Sequence, residues 1–230
     1  MGLSDSVWDR GWSRAQTPSM SERTYIFAVT FFTLLGLIAS ALMAYQCLAW
    51  QPHWLMAIVI GLGIPIAGII ISVNSRNWVI SFLGYLMVVI PLGALCGPTV
   101  ALYKTDVVIN ALLMTIGVST IMSIIGIIYP GSLQHWSKYL FAGLLVLLAG
   151  RLLEVFFAPI VDVTAAVPWW VSILDYGGAI LFTCYIMFDW NRALELDYTL
   201  DNAVDVSVAI YLDIVNLFLH LLRIFGRSDD

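Results

Sequence analysis

The sequence predicts an all-α membrane protein, a bundle of seven transmembrane helices. Three observations carry that prediction. Hydrophobic residues make up 61% of the 230-residue chain and charged residues only 11%, against roughly 25% charged in a soluble domain. Seven apolar stretches have the length, about 20 residues, that a helix needs to cross the hydrocarbon. The breaks between them are short, so consecutive helices pack as antiparallel neighbours in one bundle.

Residues 1–24 are polar and form a tail before the first span. They hold no short apolar core followed by a cleavage site, so no signal peptide is expected. Trp8 and Trp12 are suited to anchor this tail at the interface. The first span is Tyr25–Trp50, stopped by Gln51-Pro52-His53, and the second is Trp54–Val73, stopped by Asn74-Ser75-Arg76-Asn77. The third runs from Trp78 to near Pro98, and Lys104 and Asp106 mark the next break. The fourth, Val107–Tyr129, ends at Pro130-Gly131. The fifth runs from Lys138 to near Pro159, and Asp162 and Pro168 bracket a loop. The sixth begins at Trp169 and ends near Asn191; the seventh covers Asp201–Phe225. One transmembrane domain, 25–226, is therefore expected, with a short tail at 227–230. Gly36, Gly61, Gly63, Gly68, Gly177 and Gly178 fit close helix approach. Pro65 and Pro91 lie inside spans, where a freed carbonyl faces a neighbour or a cavity.

Basic residues set the orientation. With the N-terminus in the cytoplasm, that side carries Arg10, Arg14, Arg23, Arg76, Lys138 and Arg192, and the other carries Lys104, Arg223 and Arg227. The net charge is −5 and the basic residues are scattered singly, which excludes a nucleic-acid surface. Cys47, Cys96 and Cys184 show no paired spacing and read as small core residues. No HExxH, GxSxG, P-loop or GxGxxG pattern is present, so the chain is not expected to be an enzyme, and no permanently bound cofactor is expected.

The residue that points to function is Asp213, in the middle of the last span. A carboxylate there costs about 2.5–3.5 kcal/mol on insertion scales and is kept where it faces protein, water or an ion. Asn202, Val206, Ala209, Asp213, Asn216, His220 and Arg223 recur at steps of three and four, which puts them on one face of the helix. Asp189 ends the preceding span, and a modest axial offset or a longer sixth helix brings the two acids together. Two carboxylates in one low-dielectric site cannot both ionise cheaply, so one keeps a proton. Singly protonated, they share a hydrogen bond; fully ionised, they repel each other or hold a cation. Calcium fits, because it takes six to eight oxygens in flexible geometry, with Asn216, carbonyls and water completing the set. Arg76 follows the second span on the same side as Asp189 and is a candidate partner for an ionised acid. Arg151 and Glu154, three residues apart on the fifth span, are expected to pair with each other. Tyr185 and Asn202 are candidates to line a route.

The run Ala209-Ile210-Tyr211-Leu212-Asp213-Ile214-Val215-Asn216-Leu217-Phe218-Leu219-His220-Leu221-Leu222-Arg223-Ile224-Phe225-Gly226 resembles the last helix of the transmembrane Bax inhibitor motif family. Leu181-Phe182-Thr183-Cys184-Tyr185-Ile186-Met187-Phe188-Asp189 resembles that family's sixth helix. The resemblance implies a seven-helix fold with the last helix central. It also implies a pH-sensitive calcium leak gated by paired acids, here Asp189 and Asp213, and an arginine near the end of the second helix, for which Arg76 is the nearest match. Eukaryotic members are linked with cell-death suppression at internal membranes. This chain ends in Ser228-Asp229-Asp230 and lacks the strongly basic tail of some members. A bacterial plasma membrane is therefore the expected address, with an internal eukaryotic membrane as the alternative.

The leading expectation is a passive calcium pathway gated by protonation of the acid pair, with calcium, protons and the lipid bilayer as its partners. A proton-coupled calcium antiporter would use the same acids. A non-transporting membrane adaptor would use the polar stripe to bind a partner. An intramembrane diaspartyl protease would need GxGD-type surroundings, whereas Asp189 follows Ile186-Met187-Phe188.

Overall fold

In the computed structural model, residues 19–75, 77–157 and 169–227 are described. Most of the expected polar tail, Arg76 and the last three residues lie outside them. Among the described residues, seven helices are long and apolar enough to cross a membrane. They are α1 (Glu22–Gln46), α2 (Trp54–Asn74), α3 (Trp78–Val100), α4 (Thr105–Ile128), α5 (Ser137–Phe157), α6 (Trp169–Ala193) and α7 (Leu200–Arg227). The described residues contain no strand, and the protein is a multi-pass, all-α membrane bundle.

Local chemistry fixes where helices begin. Ser21 caps α1, its hydroxyl accepting from the Thr24 amide at 3.3 Å, with Glu22 in the first turn, where an acid is favoured. Asn77 caps α3 through the Val79 amide at 2.9 Å, and Thr199 caps α7 through the Asn202 amide at 3.2 Å. The first helix ends at Gln46 rather than Trp50, because the chain turns at Cys47, whose N–H bonds Met43 and Ala44 carbonyls. In α2 the segment Val59–Gly63 is π-helical, with the Ile64 N–H bonded to the Val59 carbonyl. Pro65 follows directly. It offers no N–H, and its ring crowds the preceding turn; the widened turn relieves that crowding. Pro91 is buried within α3.

The last helix is central: α7 packs against α6, α1, α4, α3 and the end of α2. Its sequence pattern explains why. Asp213, His220 and Ser207 are buried beside Ile210, Tyr211 and Leu217, so polar and apolar faces both meet protein. Elsewhere large apolar side chains such as Phe27, Ile70, Ile116 and Val146 point outward, as lipid-facing residues do. Small residues allow close crossings. A Cβ built on Gly84 of α3 would stand 2.5 Å from the Gly68 carbonyl oxygen of α2, so the two backbones meet there with no room for a side chain.

Candidate functional site

Three ionisable groups are strung along α7, each completed by different neighbours. Near its start, Asp201 and Asp205 lie one turn apart. Ser81 of α3 donates to Asp201 at 2.7 Å, and Ser72 of α2 donates to Asp205. Ser81 also reaches the Ser72 carbonyl at 3.2 Å, tying the two helix ends together.

Two turns further on is the pair expected from sequence. Asp189 and Asp213 are 9% and 6% exposed, and their carboxyl groups lie within hydrogen-bonding reach of each other. Oδ2 of Asp213 is buried and, among the described residues, receives no hydrogen bond from an amide, hydroxyl or cation. A hydrogen bond between two carboxyl groups requires a proton on one of them. The axial problem is solved by the connection. Asp189 lies four residues, about 6 Å, from the end of α6, and Asp213 thirteen residues, about 20 Å, from the start of α7. Residues 194–199 absorb the difference of about 13 Å as a turn followed by three residues without regular structure. This connection is pinned to α1: the Met20 amide donates to the Tyr198 carbonyl at 2.8 Å, and the Tyr25 and Tyr198 rings stack at 4.9 Å.

Tyr185 lies close enough to interact with both acids. The cation whose field reaches Asp189 is Arg192, on the same helix. Asn216 is half-buried, and its Nδ2 donates to the Leu212 carbonyl of its own helix at 2.8 Å. Asn202 donates to the Asp197 carbonyl at 2.7 Å and so braces the turn before α7. Among the described residues, no group of three or more His, Cys, Asp or Glu side chains is arranged to hold a metal ion.

The third group was not anticipated. Asp175 of α6 is 0% exposed and forms ion pairs with Arg151 of α5 and with Arg223 and Arg227 of α7. The Arg223 Nε–Oδ1 distance is 2.8 Å, and His220 Nδ1 lies 3.3 Å from the same oxygen. Arg151 pairs with Glu154 at 2.6 Å as expected, but its other nitrogen turns inward to Asp175. Arg227 also donates to Ser172 at 2.8 Å. Gly178 makes room for the His220 ring, against which any Cβ would collide. A signal for this cluster existed. Asp175 precedes Asp189 by 14 residues and Arg227 follows Asp213 by 14. Fourteen residues are close to four helical turns, so on antiparallel helices both pairs share a face and a level.

Fold and site together define a polytopic membrane protein whose last helix carries ionisable groups through the bundle. The comparisons give the class its particular name. A model of the family described as inhibitor of apoptosis-promoting Bax1 matches residues 22–230, and the chain belongs to that family. The description is of an inhibitor and not of a catalyst. An uncharacterized protein of Helicobacter pylori is 29% identical over 136 residues, covering 59% of this chain and 55% of its own. An uncharacterized membrane protein of Streptococcus pyogenes is 29% identical over 134 residues, 55% of each chain. Protein LIFEGUARD 4 of Arabidopsis thaliana is 36% identical over 93 residues, 40% of this chain and 34% of its own. The match thus spans about half the length of the bacterial relatives and about a third of the plant one.

Proposed function

We propose that this protein is a passive calcium pathway in a bacterial plasma membrane, with its N-terminus in the cytoplasm, gated by protonation of Asp189 and Asp213. The observation that carries the reading is the contact of two buried carboxyl groups on α6 and α7, with no amide, hydroxyl or cation among the described residues donating to Oδ2 of Asp213. With one proton between them the acids attract and hold α6 to α7. With both ionised they repel, and the two carboxylates become ligands for a divalent cation, a set completed by water and carbonyls. Flux therefore rises as pH rises. Asp201 and Asp205 supply a negative approach on the same helix, which concentrates cations at the entrance. Arg76 and Asn216 keep supporting roles in this scheme: the first as a counter-charge to ionised Asp189, the second as a neutral oxygen ligand after it rotates away from Leu212.

The test is calcium entry into liposomes that contain only this protein, measured against pH. Wild-type entry should climb with pH, by up to about tenfold per unit where a single proton controls opening. Asp213→Asn and Asp189→Asn should each flatten that dependence. Wild-type flux with an unchanged pH profile in both variants would defeat the gate. Uphill calcium accumulation driven by an imposed pH gradient would reassign the pair to an antiporter.

A further inference from the structure

A cavity of about 840 Å³ lies between α1, α3, α4 and α7, on the opposite side of α7 from the acids. Its inner wall is formed by Ile214, Val215 and Phe218 of α7 with Cys96 of α3. Two of its polar wall residues, Ser40 and Thr115, are already satisfied within the protein. Ser40 donates to the Val89 carbonyl at 3.0 Å and meets the Tyr211 hydroxyl at 2.5 Å. Thr115 donates to the Ala111 carbonyl at 2.7 Å. Neither of these hydroxyls calls for water, and most of the remaining wall is apolar, a surface that does not hold it.

Among the described residues, α1 and α4 are not packed along their lengths, and the cavity opens between them. Its lips are apolar and turned outward: Leu34 and Ile38 on α1, Leu112 and Ile116 on α4, with Ile38 58% and Ile116 61% exposed. All four lie within membrane-spanning segments, so the mouth faces hydrocarbon and not an aqueous phase. The dimensions point to one kind of occupant. Along α1 the lining runs from Leu34 to Tyr45, about 17 Å at 1.5 Å per residue. Along α4 it runs from Thr105 to Ile116, about 17 Å. One leaflet of hydrocarbon is about 15 Å deep, half of the full core. The groove is therefore as long as one leaflet is deep, and it sits in the leaflet on the side of the α3–α4 connection.

We propose that this groove binds one acyl chain of a bilayer phospholipid, inserted between α1 and α4 and resting against α7. The chain would brace the helix that carries Asp213, one residue before Ile214, from the side away from α6. This proposal stands apart from the calcium reading, since occupancy requires no transport.

The probe is a phosphatidylcholine bearing a diazirine in the middle of one acyl chain, mixed into phosphatidylcholine vesicles that contain the full chain. After illumination, adducts are mapped by peptide mass spectrometry. The expected result is labelling of Ile214, Val215 or Phe218, residues that bulk lipid does not reach across the outer helices. Ala41, a lining residue of α1 three positions after Ile38, is exposed, so Ala41→Trp with Leu112→Trp places an indole on each side of the groove. That pair should lower α7 labelling by about tenfold, equivalent to about 1.4 kcal/mol, and leave labelling of the lipid-facing α5 residues Val146 and Leu152 unchanged. Unaltered α5 labelling and thermal unfolding show that the variant is folded. The control pair Val146→Trp and Leu152→Trp should leave α7 labelling intact. Adducts confined to the outward faces of the outer helices, or α7 labelling that the two lip indoles do not reduce, would overturn the proposal.

Discussion

Asp175 shows what a single side chain settles in this molecule. Three guanidinium groups converge on it, and with Glu154 the cluster holds three positive charges against two negative ones. Removing one partner of a buried ion pair leaves uncompensated charge and costs about 3–5 kcal/mol. Asp175→Asn should therefore lower the thermal unfolding midpoint in detergent far more than Arg227→Gln, which leaves two arginines on the carboxylate. Equal shifts for the two variants would mean that Asp175 is not the hub. Asp205 allows a contrasting prediction. Asp205→Asn keeps an acceptor for Ser72 and removes only charge, so calcium entry should fall while its pH dependence stays that of the wild type. A shifted pH profile in that variant would move the sensor from Asp213 to Asp205. Sequence reasoning found Asp213 because a carboxylate in the middle of an apolar run has no bland explanation. Asp175 gives no such signal by itself, since it lies only six residues into a span, beside Trp169, Trp170 and Tyr176. The surplus arginines on the fifth and seventh spans were the clue that a buried counter-charge was needed.

Among the elements, hydropathy and punctuation located the helices well, because length and lipid contact decide them. Every expected span has its helix, with ends moved by a few residues where a cap or turn intervenes. Hydropathy is blind to backbone detail, so the π-helical turn before Pro65 was not legible. The connection from α6 to α7 was legible as the break between Asn191 and Asp201, and in the structure it is shorter, residues 194–199. Glycine content, by contrast, was legible only as a tendency. Of the α2 glycines expected to allow close approach, Gly68 meets the backbone of α3, whereas Gly63 has only a Val59 methyl near it. The distinction yields a prediction. Gly84→Ala must push α2 and α3 apart, and such overpacking costs about 1–3 kcal/mol. Because the Ser72–Asp205 and Ser81–Asp201 bonds straddle that crossing, the unfolding midpoint should drop and calcium entry should change with it. Gly117→Ala on α4 meets nothing within 4 Å and should leave both unchanged. A fall of equal size in the two variants would show that helix geometry, and not the crossing, is responsible.

For the molecule as a whole, the decisive question is which end of the bundle faces the cytoplasm. Basic residues near helix ends decide orientation when they are not neutralised. Arg223, Arg227 and Arg151 share one end of the bundle but are tied inward to Asp175, and Glu154 neutralises Arg151 further. The connections on that side carry Lys104, and Lys138 and Arg192 lie beside the connections on the other, where Arg23 also begins α1. The inward pairing thus strengthens the N-in orientation that the sequence suggests. Single cysteines test it in a background with Cys47, Cys96 and Cys184 replaced by serine. Leu102 is 82% exposed in the α3–α4 connection, and Gly131 is exposed in the α4–α5 connection at the opposite end. In intact bacterial cells expressing the protein, a membrane-impermeant maleimide should label Leu102→Cys at once and Gly131→Cys only after lysis. The same orientation puts Asp201 and Asp205 on the cytoplasmic side and the proposed lipid groove in the outer leaflet. Reversed labelling would therefore invert both assignments, while the contact between Asp189 and Asp213, which does not depend on direction, would stand.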